Sequence, residues 1–298
     1  MFSSHTGELA ALCTAVFWTI TALSFESAGR KVGSLAVNWI RLVLGFVFLS
    51  LFTWILRGKL LPMDASMHAW FWLGLSGFVG FAIGDLFLFK AFVMIGSRIS
   101  MLIMASVPLL TAVIGWIVMG EVLTPLDILG TALTIFGISW VILKRETGKK
   151  RVNLSHPVSG ILFAAGGALG QAIGLVLSKL GMGNYNAFAA TQIRIISGLA
   201  SFTLLFFVIS AWKRVGSALK NLSAMKSISL GSFFGPFLGV SFSLLAVQHT
   251  TTGVASAIMG IVPVLIIIPA VFIYKEKVTA KEIAGAVVAV LGVVILFL

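Results

Sequence analysis

The feature that most constrains this chain is its rhythm: apolar runs of about 20 residues, the length an α-helix needs to cross a bilayer, recur from end to end between short charged connections. Helices are the expected elements, because in lipid each backbone N–H and C=O must be satisfied inside its own segment. The runs place helices at 7–28, 35–56, 69–92, 99–119 and 126–143, and again at 158–180, 187–211, 228–247, 253–274 and 280–298. Roughly ten spans fill a chain of this length, so no water-soluble domain is expected beside them. Composition agrees: of 298 residues, 59% are hydrophobic and 10% charged, and the mean hydropathy is +1.11. The fold class read here is an all-α integral membrane protein.

The net charge of +12 does not point to nucleic acid, since the basic residues lie mostly between apolar runs, where topology sorting puts them. Only Arg57, Lys59 and Lys179 fall in the even-numbered connections, and Arg41, Lys90 and Arg194 inside expected spans; the rest gather in the odd-numbered connections. By the positive-inside rule those connections face the cytoplasm and both termini face outward, in the plasma (inner) membrane. The lone Cys13 excludes an intramolecular disulfide. No basic segment precedes the first run, so it is expected to be retained as a helix.

The basic stretch 144–156 separates two apolar blocks, 1–143 and 157–298, and the blocks repeat one another. An offset of 155 residues aligns Pro108 with Pro263, Glu121 with Glu276, Thr124 with Thr279, Asp127 with Glu282, Gly130 with Gly285 and Gly137 with Gly292. It also pairs Gly80 with Gly235 and Gly84 with Gly239, while an offset of 153 pairs Arg41 with Arg194 and Gly45 with Gly198. Five helices per copy is an odd number, so the second copy is expected to cross the membrane in the opposite sense. Ten transmembrane helices as two inverted five-helix repeats is the usual construction of a secondary transporter, whose halves expose one midplane site alternately to each side.

Some of the paired residues have a structural reading. Thr124 with Asp127 and Thr279 with Glu282 are capping boxes at helix starts. Pro108 and Pro263, inside expected helices, can act as kinks or gates, since each frees backbone carbonyls that can line a cavity. The glycines near residues 74–84 and 231–239 allow close helix approach.

Ten helices in two repeats, with Trp18, Arg41, Pro108, Gly120-Glu121, Gly130 and Gly137 and the second-half copies Pro263, Glu276, Gly285 and Gly292, resemble the EamA-type members of the drug/metabolite transporter superfamily. Lys275 stands before Glu276 where the first copy has Gly. The resemblance spans nearly the whole chain. It implies secondary transport, often export of amino acids, metabolites or toxic compounds, through a central cavity, with no cofactor.

Ionisable groups inside a span cost about 2.5 kcal/mol or more and mark a pathway or a paired structural site. Asp85 is the candidate proton-coupling carboxylate; its other reading is a fixed ion pair with Arg41 or Lys90. Glu26, Arg41, Asp85 and Lys90 cancel in formal charge, whereas their counterparts Lys179, Arg194, Val240 and Leu245 are net positive. An anionic or zwitterionic small-molecule substrate is expected, with Arg41 and Arg194 as carboxylate-binding candidates. Trp18, Asn38, Gln171 and Gln192 are candidate substrate-binding groups or interhelical hydrogen-bonders. The many Phe residues are expected to face lipid.

Two other functions compete. Gly74-Leu75-Ser76-Gly77 matches the GxSG pattern of rhomboid-like intramembrane serine proteases, but His5, His68, His156 and His249 all lie at or outside helix ends. A passive channel or scaffold would need a selectivity ring to conduct, and none is legible. Membrane lipid and protons are the remaining expected partners.

Overall fold

The computed structural model describes residues 5–119, 125–145, 152–154, 156–249, 255, 258–272, 275 and 278–295. Its long elements are helices: α1 (Thr6–Val32), α2 (Ser34–Arg57), α3 (Met67–Gly77), α4 (Asp85–Met104), α5 (Val107–Met119) and α6 (Pro125–Ile142). The second half has α7 (Val158–Met182), α8 (Ala187–Val208), α9 (Trp212–Leu219), α10 (Leu222–Ser232), α11 (Val240–His249), α12 (Val262–Leu265), α13 (Ile267–Phe272) and α14 (Ala280–Ile295). Between the halves, Leu143–Arg145 and Val152–Leu154 pair as a two-stranded antiparallel ribbon, β1 and β2, a small exception to an all-helical fold.

Six helical stretches are long and apolar enough to cross a membrane: Thr6–Val32, Ser34–Arg57, Met67–Met104, Val158–Met182, Ala187–Val208 and Leu222–His249. The chain is a multi-pass membrane protein. Within Met67–Met104 a kink at Gly96, with φ +80°, falls in the connection expected between 69–92 and 99–119; glycine adopts this backbone without a Cβ clash. The remaining expected spans correspond to shorter helices, the ninth divided into α12 and α13.

Helix starts follow local chemistry. Ser66, Asn186 and Asn221 each accept a hydrogen bond from a first-turn N–H of α3, α8 and α10. At α14, Thr279 N–H donates to Glu282 at 2.8 Å and Glu282 N–H donates back to the Thr279 hydroxyl at 3.3 Å, a complete capping box. Its first-half partner includes Thr124, which, like Glu121 and Glu276, lies outside the described residues.

Within each half the same long helix is locally unwound. Phe78–Gly84 and Phe233–Gly239 are seven-residue π segments, each preceded by an eleven-residue helix. They stand at the 155-residue offset read from the sequence. Pro236 cannot donate to the helical ladder, and the wider π turn leaves carbonyls less tightly engaged.

Packing exchanges the two halves. α1 lies on α10 and α11, and α7 lies correspondingly on α3 and α4; α2 packs on α8, and α6 on α14. The α7 crossing is backbone on backbone: a Cβ built on Gly170 would stand 2.6 Å from Gly84 Cα, and one on Gly174 would stand 3.1 Å from Gly80 Cα. At the equivalent α1 crossing, Gly235 and Gly239 meet the side chains of Thr21 and Trp18 instead.

The buried core is rich in aromatic residues, which corrects the expectation that phenylalanines face lipid. Phe25, Phe81, Phe89, Phe92, Phe202 and Phe206 are all buried. Hydrophobicity carries no inside-outside signal in a bilayer, because lipid tails are as apolar as the core.

Overpacking the α3–α7 seam should cost about 1–3 kcal/mol. Gly170→Ala is expected to lower the melting temperature in detergent, whereas Gly74→Ala, where nothing lies within 4 Å of the added carbon, should not. Equal melting of the two variants would contradict this packing.

Candidate functional site

A cavity with about 150 Å³ of room for water centres lies in the middle of the bundle. Its wall draws on α1, α2, both π segments, α4, α5, α7, α8, α11 and α12, with Trp18, Pro108 and Pro263 on its lining. Apolar side chains dominate, and three charged residues reach it: Arg41, Asp85 and Arg194.

Asp85, the first residue after the π segment, is held from several sides. Arg41 Nη2 donates to Oδ2 at 2.5 Å and Gln171 Nε2 donates to Oδ1 at 2.7 Å. Gln171 also donates to the Gly80 carbonyl at 3.2 Å, taking up an acceptor within the π segment. Asn38 stands behind the pair: its Oδ1 accepts from Arg41 Nε at 3.1 Å and its Nδ2 donates to the Asp85 carbonyl at 3.2 Å. Each of these bonds crosses between helices or fixes a partner of one that does. Of the two readings of Asp85, the ion pair with Arg41 is formed. Lys90 is exposed and turned away.

Arg194 is different. It is 4% exposed, yet among the described residues no hydrogen bond or ion pair reaches its guanidinium, and its Nε is buried without a partner. What it has is a ring face, with its guanidinium carbon 4.7 Å from the Phe81 centroid. Arg41 lies 5.6 Å from the same ring and 4.6 Å from that of Phe89. The two arginines, which the repeat makes equivalent, thus flank one aromatic side chain. Phe81 and Phe89 were invisible as site residues in the sequence, being two of 24 phenylalanines.

Gln192 does not line the cavity; it donates to Ser50 Oγ at 2.9 Å and to the Leu60 carbonyl at 2.8 Å, tying α8 to the end of α2. Glu26 is also engaged elsewhere: it accepts from Arg30 Nε at 2.9 Å and from Ser97 N–H at 2.7 Å, fastening α1 to the turn after Gly96. Ser76 of the GxSG sequence is fully buried, donates to Gly174 O at 2.6 Å and shares a hydrogen bond with Ser178 Oγ at 2.7 Å. A serine so enclosed between α3 and α7 is offered to no substrate.

At one rim the 58–66 connection is clamped to the turn before α8. Asp64 receives hydrogen bonds from Arg57 Nη2 at 2.6 Å and from the Tyr185 hydroxyl at 2.9 Å, with Lys59 Nζ at 3.2 Å. Desolvation acts to raise the Asp64 carboxyl, but the hydrogen bonds from Tyr185 and Lys59 and the Arg57 charge outweigh it and hold it at about 2.

Buried charge beside a cavity walled by two unwound helices marks a functional site inside a membrane bundle. The EamA-like transporter family model matches residues 5–143 and again 158–298, and the chain belongs to that family. A solved structure titled "Crystal structure of protein" superposes with a TM-score of 0.64 over 97% of this chain and 95% of its own, at 18% identity, a likeness of fold alone. No curated protein matches.

Removing one partner of the buried pair should destabilise by about 3–5 kcal/mol, because the other charge is left uncompensated. Asp85→Asn and Arg41→Gln should each lower the melting temperature, and the double variant should recover most of the loss. Additive losses would mean that the two side chains do not act as a pair.

Proposed function

We propose that this chain is a secondary transporter that moves an anionic or zwitterionic small metabolite by alternating access, with Arg194 as the principal contact for the substrate carboxylate. The observation that carries the reading is a buried guanidinium that makes no hydrogen bond or ion pair among the described residues, on the wall of a central cavity. Its planar fork suits bidentate contact with a carboxylate. Trp18 supplies apolar wall, while Asn38 and Gln171 hold the Arg41–Asp85 pair in place.

Ten spans in two inverted repeats are the frame of this mechanism. The equal spacing of the π segments and the exchanged packing of α1 and α7 support it. Unwound segments facing a cavity are where irregular backbone is tolerated in a membrane, and with Pro108 and Pro263 they are the proposed bending points. The distribution of Lys and Arg supports cytoplasmic odd-numbered connections and outward termini in the plasma membrane. Export is the direction that membership of the family suggests.

Two driving forces fit this site, substrate exchange and proton coupling through Asp85. They separate in the pair-neutral Arg41→Gln/Asp85→Asn chain, which should keep exchange and lose accumulation driven by a pH gradient. Accumulation that persists there would remove Asp85 as the coupling group.

In proteoliposomes the wild-type chain should show saturable counterflow of its substrate. Arg194→Gln, at unchanged expression and melting temperature, should lower uptake at subsaturating substrate by about tenfold or more, as expected for loss of a charge-assisted contact. Unsaturable flux would point to a channel, and full activity of Arg194→Gln would remove that residue from the site.

A further inference from the structure

We infer that the transported molecule carries a single net negative charge and no ammonium group, on a small apolar body; this rests on the carrier reading and narrows it. The charge follows from the wall. Arg41, Asp85 and Arg194 are the charged residues among those lining the cavity, and the first two neutralise each other. One guanidinium remains, and a buried charge without a counter-charge is costly. A monoanion completes the set, whereas a dianion would leave a negative charge as uncompensated as Arg194 is now.

An ammonium group, by contrast, finds no counter-charge to spare: among the described lining residues Asp85 is the one carboxylate, and it is paired with Arg41 at Oδ2 and accepts from Gln171 at Oδ1. Three of the lining rings already face a cation: Arg41 lies over Phe25, Phe81 and Phe89, and Arg194 over Phe81. An amine placed here would add a third positive group beside two guanidiniums. Of the buried polar atoms without a partner on the lining, Arg194 Nε only donates and the Thr21 hydroxyl can donate as well as accept, so both can serve an oxygen-bearing anion.

Size follows from volume: a cavity of about 150 Å³ holds one small organic molecule. Met101, Met104 and Met259 stand along the lining and can adapt to the shape of an aliphatic or aromatic body.

The test uses three probes of one skeleton: α-ketoisocaproate, which is a monoanion, L-leucine, in which an ammonium replaces the keto oxygen, and isopentylamine, which lacks the carboxylate. Binding to the detergent-purified chain by calorimetry and counterflow in proteoliposomes are read side by side. The keto acid should bind about thirtyfold or more tighter than leucine, the lower end of what an unpaired buried charge costs, and the amine should not bind. Arg194→Gln should erase the preference, and Arg194→Lys, which restores the charge, should return part of it. Leucine binding as tightly as the keto acid, or no binding of the keto acid, overturns the inference. Counterflow of leucine or the amine in preference to the keto acid overturns it too, yet leaves the carrier reading standing. Preferential keto-acid binding without any counterflow does the reverse, supporting the charge inference and removing the carrier reading.

Discussion

A charge buried in a bilayer must find its counter-charge inside the protein, and in this chain the count comes out uneven. Two guanidiniums and one carboxylate share the central cavity. Arg41 and Asp85 satisfy each other with help from Asn38 and Gln171, and this closed network fixes α2, α4 and α7 around the cavity. Among the described residues Arg194 makes no hydrogen bond or ion pair; it keeps an aromatic face and the longer-range attraction of Asp85. Insertion of such a residue costs about 2.5–3.5 kcal/mol, so its persistence without a hydrogen-bonded partner is the physical sign of a ligand.

The scaffold that holds this imbalance is symmetric where it bends and asymmetric where it binds. The π segments Phe78–Gly84 and Phe233–Gly239 occupy matching places in the two blocks. Arginine also stands at both members of the 41/194 pair. The acid, however, is present once: Asp85 in the first block answers to Val240 in the second. Glycine-on-glycine contact closes the α3–α7 seam, while Thr21 and Trp18 intervene on the α1 side. Duplication with divergence at these few positions converts a repeated helix frame into a cavity with one polar wall.

Much of this was legible in the sequence, for reasons that differ by residue. Apolar run length found the long helices, because bilayer thickness fixes it. The repeat was readable from Pro, Gly and acidic residues, which are scarce or stereochemically demanding and so keep their spacing. Arg41, Asp85 and Arg194 stood out since charge in a span is rare, but their division into a closed pair and an unpaired group depends on side-chain distances that no spacing encodes. The break at Gly96 was legible as the connection expected between 69–92 and 99–119, where Gly96-Ser97-Arg98 interrupts the apolar run, though its φ of +80° leaves no trace in hydropathy. The aromatic residues against the two arginines were missed because in lipid apolar residues face either way. Gln192 looked like a cavity amide and is a helix tie, since polarity inside a span does not say which neighbour it serves.

The central claim, an excess positive charge in a cavity that opens to each side in turn, can be read with a single thiol. Val240 lines the cavity, and Cys13 is the chain's one cysteine, so a Cys13→Ser/Val240→Cys chain reports from that wall alone. Methanethiosulfonate reagents of opposite charge, applied to either face of oriented vesicles, measure access and local potential together. The account predicts labelling from both faces, faster with the anionic reagent than with the cationic one, the difference vanishing when Arg194 is neutralised. Labelling confined to one face under all conditions, or a faster cationic reagent, would contradict it.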